Sequence, residues 1–318
     1  VLADYNLKSD TQDKIEIDWN NMAVKTEVLT PTLVKVSVVD KTGAPLHSGQ
    51  LHYAYGVRSG NQEKSNLPQM YQPTNLSSTM LTVDGKPDQT VFVTISDDSG
   101  KSTNYLQAVN IDTKAFNIFT DDFKTFREWD GKYVTNDKAK YEVIDGTLRL
   151  TSAGTDFGAN GNPRTNGPMM YKEVKGDFIV QVKVTDLMGS ERRNTPAYNE
   201  GGLMVILPES ENRQQVVQLG VFPAYNCGNM LTTIFRGRPQ YNNQQGWNYD
   251  PYMQLQRVGN LIYARTSRDG KSWTDMPSSP VRVPQFEGKT LRVGLFQTTY
   301  SDNRALVSFS DFKLWQKK

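Results

Sequence analysis

The chain of 318 residues has very little of what most enzyme centres are built from. It holds one cysteine, Cys227, so no intrachain disulfide can form, and a lone cysteine is most often a small buried hydrophobe rather than a nucleophile. Its two histidines, His47 and His52, both lie early in the chain, which excludes a Ser-His-Asp triad from the rest of it. One cysteine and two histidines also give no zinc-binding cluster. No apolar run approaches the roughly 18 residues of a membrane-spanning helix. No segment carries a convincing amphipathic helical period either. Charge of one sign is lacking too: 36 basic residues against 34 acidic ones leave a net charge of +2, too near neutral for a nucleic-acid or lipid-surface partner. The start at Val1, without a methionine, leads us to expect a processed chain from which a signal peptide or lipid anchor has been removed.

What the sequence does hold is strand pattern. Residues 1–20 read as a polar, acidic leader. In residues 21–116 alternating β-branched runs recur at Val24–Leu29, Leu33–Val39, Leu51–Val57, Met80–Val83, Thr90–Ser96 and Tyr105–Ile111. Turn clusters such as Asp84-Gly85-Lys86-Pro87 and Asp97-Asp98-Ser99-Gly100 separate them. This density of short strands predicts an immunoglobulin-like or fibronectin-like β-sandwich. Ser59–Ser78 is expected to be a long exposed loop.

Residues 117–318 are expected to form a second all-β domain. Its organising stretch is Tyr252–Trp273. Tyr252, Gln254 and Gln256 alternate there with Met253, Leu255 and Arg257, the period of a strand with two different faces. Val258-Gly259-Asn260 is turn chemistry, Leu261–Thr266 returns as a strand, and Asp269-Gly270 signals another hairpin. Further strands at Tyr141–Ile144, Thr147–Thr151, Asp177–Val184, Gly202–Leu207, Gln214–Phe222, Met230–Phe235, Leu291–Phe296 and Ala305–Leu314 call for two stacked antiparallel sheets, a jelly roll. The same alternation assigns Leu203, Val205, Val217, Leu219, Leu255 and Leu295 to the core.

Gly176-Asp177-Phe178 opening the strand DFIVQVKV, Gly201-Gly202-Leu203-Met204-Val205, YMQLQRVGNLIYARTSRDGKSW, Leu291–Phe296 and Val307–Phe312 follow one another in this order. On these segments the second domain resembles the concanavalin A-like lectin/glucanase superfamily of jelly rolls, and within it the DUF1349 family. The resemblance implies a sugar-associated protein outside the cytoplasm, of a family often loosely described as glycosidases. Where that family often carries Trp and Arg on its Trp-x-Arg-Leu strand, this chain has Tyr252 and Gln254, so ligand specificity does not carry over.

Sugars present an apolar C–H face and a rim of hydroxyls, which calls for flat aromatic rings beside amide and guanidinium groups. The segment Arg236–Tyr252, expected to be a long loop, supplies both, with Tyr241, Trp247, Tyr249 and Tyr252 interleaved with Arg236 and Arg238. Gln218, Gln254 and Gln256, at alternate positions on strands expected to be neighbours, would extend this as a glutamine face. Glutamine binds hydroxyls but is no general acid or base, and the Glu-x-Asp-x-x-Glu strand of jelly-roll glucanases is absent. Glu200 and Asp250 are the only acids to nominate for hydrolysis. Calcium is the one cofactor left open, through Asp121, Asp122 and Asp311, which meet if the terminal strands pair. The leading expectation is a secreted, cell-surface or periplasmic carbohydrate-binding protein. Its partners would be a glycan or polysaccharide and other surface glycan-utilisation proteins, with the first domain as a spacer. The alternatives are a glycoside hydrolase and a protein-binding adhesion module.

Overall fold

The computed structural model describes residues 18–46, 51–59, 69–70, 76–83, 88–125, 127–133, 139–154, 167–189, 199–208, 215–223, 227–235, 238–244, 249–270, 273–299 and 304–318. The chain divides into two compact units, Val1–Ile111 and Asp112–Lys318.

In the first unit the strands are β1 (Met22–Thr30), β2 (Leu33–Asp40), β3 (Leu51–Ser59), β4 (Gln69–Met70), β5 (Ser78–Thr82), β6 (Asp88–Asp97) and β7 (Ser102–Asn110). They form one sheet in the order β1-β2-β5 and another in the order β4-β3-β6-β7. Alternate residues of both sheets, among them Val34, Val36, Val38, Tyr53, Tyr55, Val91, Val93 and Ile95, share one buried core. The two buried phenols are satisfied by backbone: Tyr53 donates to the Leu46 carbonyl at 3.0 Å and Tyr55 to that of Leu76 at 2.7 Å. Most of the expected Ser59–Ser78 loop lies outside the described residues.

The second unit is a two-sheet jelly-roll sandwich. Its strands begin with β8 (Phe116–Asp121), β9 (Gly131–Tyr133), β10 (Lys140–Ile144), β11 (Thr147–Ser152), β12 (Met169–Lys175), β13 (Phe178–Gly189), β14 (Asn199–Leu207) and β15 (Gln215–Val221). They continue with β16 (Asn229–Phe235), β17 (Arg238–Gln244), β18 (Tyr252–Val258), β19 (Leu261–Ser267), β20 (Thr274–Asp275), β21 (Val281–Arg282), β22 (Thr290–Thr299) and β23 (Ala305–Lys317). A nine-stranded sheet runs β10-β11-β23-β13-β18-β19-β20, with β8 on β23 and β21 on β19; a seven-stranded sheet runs β17-β16-β15-β14-β22-β12-β9. Leu203, Val205, Val217, Leu219, Leu255 and Leu295 are all buried between them, as the alternation predicts.

Polar side chains stitch the sandwich. Ser152 of the nine-stranded sheet donates to Gln297 of the other; Gln297 then donates to Asn199 at 2.8 Å, and Asn199 to the Leu306 carbonyl at 3.0 Å, returning to the first sheet. At another corner the buried Arg257 guanidinium donates to the carbonyls of Gly259 (2.9 Å), Gly176 (3.2 Å), Lys289 (3.3 Å) and Phe286. It thereby fixes the two-residue turn Gly259-Asn260 against two other connections. Burial pushes the Arg257 pKa below its usual value, with Asp177 and Glu287 opposing the shift.

Two expectations need correction. The segment Arg236–Tyr252 is not one long loop, because β17 within it pairs with β16 as an edge strand. Its residues Arg-Pro-Gln-Tyr-Asn-Asn-Gln carry almost no apolar signal, and Pro239 is tolerated because an edge strand leaves one row of donors unused. Gln218 is also not a neighbour of Gln254 and Gln256: it lies on β15 in the seven-stranded sheet, whereas they lie on β18 in the nine-stranded one. Strand parity tells which face a residue takes, but not in which sheet.

Candidate functional site

On β18, Met253 and Leu255 turn into the core, so Tyr252, Gln254 and Gln256 face away from it. The neighbours follow the same rule. Val180 and Val182 of β13 point inward and leave Ile179, Gln181 and Lys183 outside, while Ile262 and Ala264 of β19 leave Tyr263 and Arg265. Leu314 of β23 leaves Lys313 and Trp315. Register then aligns Lys313, Gln181, Gln254, Arg265 and Asp275 in one row across five strands, with Lys183 and Tyr252 paired beside it and Ile179, Gln256 and Tyr263 on its other side.

Both tyrosine rings of this face have a cation over them. The Lys183 Nζ lies 5.3 Å from the Tyr252 ring centroid, and the Arg265 guanidinium carbon 5.8 Å from that of Tyr263. Arg265 also donates from Nε to Asp275 Oδ1 at 2.7 Å. Burial raises the Tyr263 pKa; Arg265 opposes that shift and Asp275 adds to it. Tyr252 is seated by the Gly270 turn (φ +72°), where a Cβ would stand 3.0 Å from its ring. Gln254 is only 1% exposed, yet neither its amide oxygen nor its amide nitrogen has a hydrogen-bond partner. Around it Gln181, Lys183, Tyr252 and Tyr263 are half-buried.

The seven-stranded sheet's outer face gathers a different set. Tyr241 at its edge is 49% exposed, opposite the buried Thr232, which is in turn opposite the buried Gln218. Gln218 Nε2 donates to Glu200 Oε2 at 3.0 Å. Cys227 is half-buried beside Phe222 and Met230, and burial together with the charge of Glu200 raises its thiol pKa, the opposite of a nucleophile's tuning.

The remaining candidates are scattered. Asp250 accepts from Thr266 Oγ1 at 2.9 Å and Arg268 Nε at 3.1 Å, while its backbone exchanges two hydrogen bonds with the Asn229 side chain. It thereby ties the start of β16 to the end of β19. Tyr249 packs on the inter-sheet core, and burial raises its pKa, with Asp186 adding to the effect. Arg238 is exposed at the start of β17. Trp247 and Arg236 lie outside the described residues. The terminal strands do pair, with Asp121 opposite Phe312. The Asp121 carboxylate, however, is taken by the Phe123 amide and the Trp129 indole, each at 2.9 Å. Asp122 is engaged with Lys124, Asp311 is exposed, and no cluster of three or more His, Cys, Asp or Glu occurs among the described residues.

Sequence reasoning missed Lys183, Tyr263, Arg265, Lys313 and Trp315. The signal was present as period-two pairs, Gln181-x-Lys183, Tyr263-x-Arg265 and Lys313-x-Trp315, each interrupted by a core residue.

No protein of curated function matches the chain. Among solved structures, a functionally unknown protein from Saccharomyces cerevisiae is 16% identical, with 64% of this chain and 97% of that one covered and a TM-score of 0.43. A xylan beta-1,4-xylosidase from Bacillus halodurans C-125 is 11% identical over 92% of this chain and 64% of its own, with a TM-score of 0.44. The CBM2 module of an evolved Dit from Lactobacillus casei BL23 phage J-1 is 15% identical over 62% and 94%, with a TM-score of 0.40. The family model described as "Protein of unknown function (DUF1349)" matches residues 135–317, over half of the chain, and the chain belongs to that family.

Proposed function

We propose that this protein binds a glycan non-covalently on the outer face of the nine-stranded sheet, through Tyr252, Gln254, Tyr263 and the flanking Gln181 and Lys183, with the first unit serving as a spacer. The observation that carries the reading is Gln254. A buried amide left without partners costs about 1–3 kcal/mol, and such groups are rare enough to require a reason. A ligand hydroxyl, which both donates and accepts, meets that need, and the adjacent rings supply apolar surface for a sugar's C–H face. Hydrolysis is the weaker reading. It needs two carboxylates flanking one bond, whereas Asp275, the carboxylate of this row, is bonded to Arg265 and Glu200 lies on the other sheet.

Applied to a glycan array, the full chain should retain defined saccharides, and hits should bind in calorimetry without release of reducing sugar. Capture of no glycan, or turnover of a bound one, would sink the reading.

A further inference from the structure

The charge on the same face narrows the ligand. Lys313, Gln181, Gln254, Arg265 and Asp275 form one row, and Lys183 sits beside it over Tyr252. That places three cations near two carboxylates: Asp275, already bonded to Arg265, and Asp311, exposed in the β23 bulge between Ser310, opposite Lys183, and Lys313, opposite Gln181. Lys183 and Lys313 remain, both half-buried, Lys313 opposite Gln181 and Lys183 two residues along β13 from it. A half-buried ammonium held over an aromatic ring has part of its water replaced by the ring, and a carboxylate in contact with it gains more than at a free surface. A neutral sugar would use the rings and the amide but bring no counter-charge to either ammonium group.

Resting on the glycan-binding reading, we propose that the ligand is an acidic saccharide: a polymer whose uronate carboxylates meet Lys183 and Lys313 while its hydroxyls occupy the Gln254 amide. Tyr263 and Trp315, one row away, offer further ring surface along the same direction.

The test pairs charge with an otherwise equal backbone. Polygalacturonate, alginate and hyaluronate are titrated into the full chain, with methyl-esterified polygalacturonate as the uncharged control. At least one uronate polymer should bind about tenfold or more tighter at low salt than at high salt, and esterification should abolish the advantage. Lys183→Gln and Lys313→Gln should each weaken uronate binding several-fold and flatten its salt dependence, with unchanged circular dichroism and melting temperature. If neutral glycans bind and uronates bind no better, the acidic class is wrong and the glycan reading survives. If neither class binds, both fail. Salt-independent uronate binding that is indifferent to both lysine substitutions would also overturn the proposal.

Discussion

Glu200 Oε2 accepts from Gln218 Nε2 at 3.0 Å, both side chains fully buried on the outer face of the seven-stranded sheet, and Glu200 lies across Gly220 to make that bond. A Cβ at position 220 would come within 2.6 Å of Glu200 Oε1 and 2.7 Å of its Cγ. Gly220→Ala should therefore cost about 1–3 kcal/mol, measured by urea denaturation. Glu200→Ala should cost a similar amount by leaving the Gln218 amide unpaired. The double variant should be less destabilised than the sum, because the clash vanishes with the glutamate. Strict additivity would show that the two do not meet.

Arg257 should be intolerant even of lysine. Its planar fork reaches four carbonyls from separate connections, whereas an ammonium is a single point with three donors and a different reach. Arg257→Lys should lower stability by about 2 kcal/mol or more, since hydrogen bonds to charged groups are each worth about 1.5–3 kcal/mol. A melting temperature within a degree or so of the parent would contradict the clamp.

Much of this architecture was legible because burial imposes a period on the chain. Leu255 could be assigned to the core since its neighbours Gln254 and Gln256 alternate with it, and Leu203 and Val205 behave alike. The site was legible only in part. Gln254 and Tyr252 could be nominated from β18 alone, but their partners come from β13, β19 and β23, a juxtaposition fixed by register between strands distant in sequence. Gln218 shows the converse error, with the right parity in the other sheet. Edge strand β17 escaped because its residues are polar on both faces, so no period marks it.

Asp121 should prove structural rather than metal-binding. With one carboxylate oxygen on the Phe123 amide and the other on the Trp129 indole, Asp121→Ala leaves two buried donors unsatisfied. A loss of about 2 kcal/mol or more is expected, with calcium leaving the melting temperature of parent and variant alike unchanged. A calcium-dependent rise in the parent that disappears in the variant would restore the metal reading.

Leu255, fully buried between the sheets, reports on the strand parity that exposes Gln254 on the opposite face. Leu255→Ala should cost about 2–5 kcal/mol. A cost below about 0.5 kcal/mol would invert the parity.

The central claim is that Gln254 keeps its unpaired amide for a ligand. Gln254→Met preserves the length of the side chain and removes only its polar end. Because that end has no hydrogen-bond partner in the free protein, its removal should leave the melting temperature equal or higher. Calorimetric titration with whichever glycan the parent binds should show affinity weakened by about 0.5–1.5 kcal/mol, roughly two- to tenfold. Unchanged affinity together with a clearly lowered melting temperature would contradict the account.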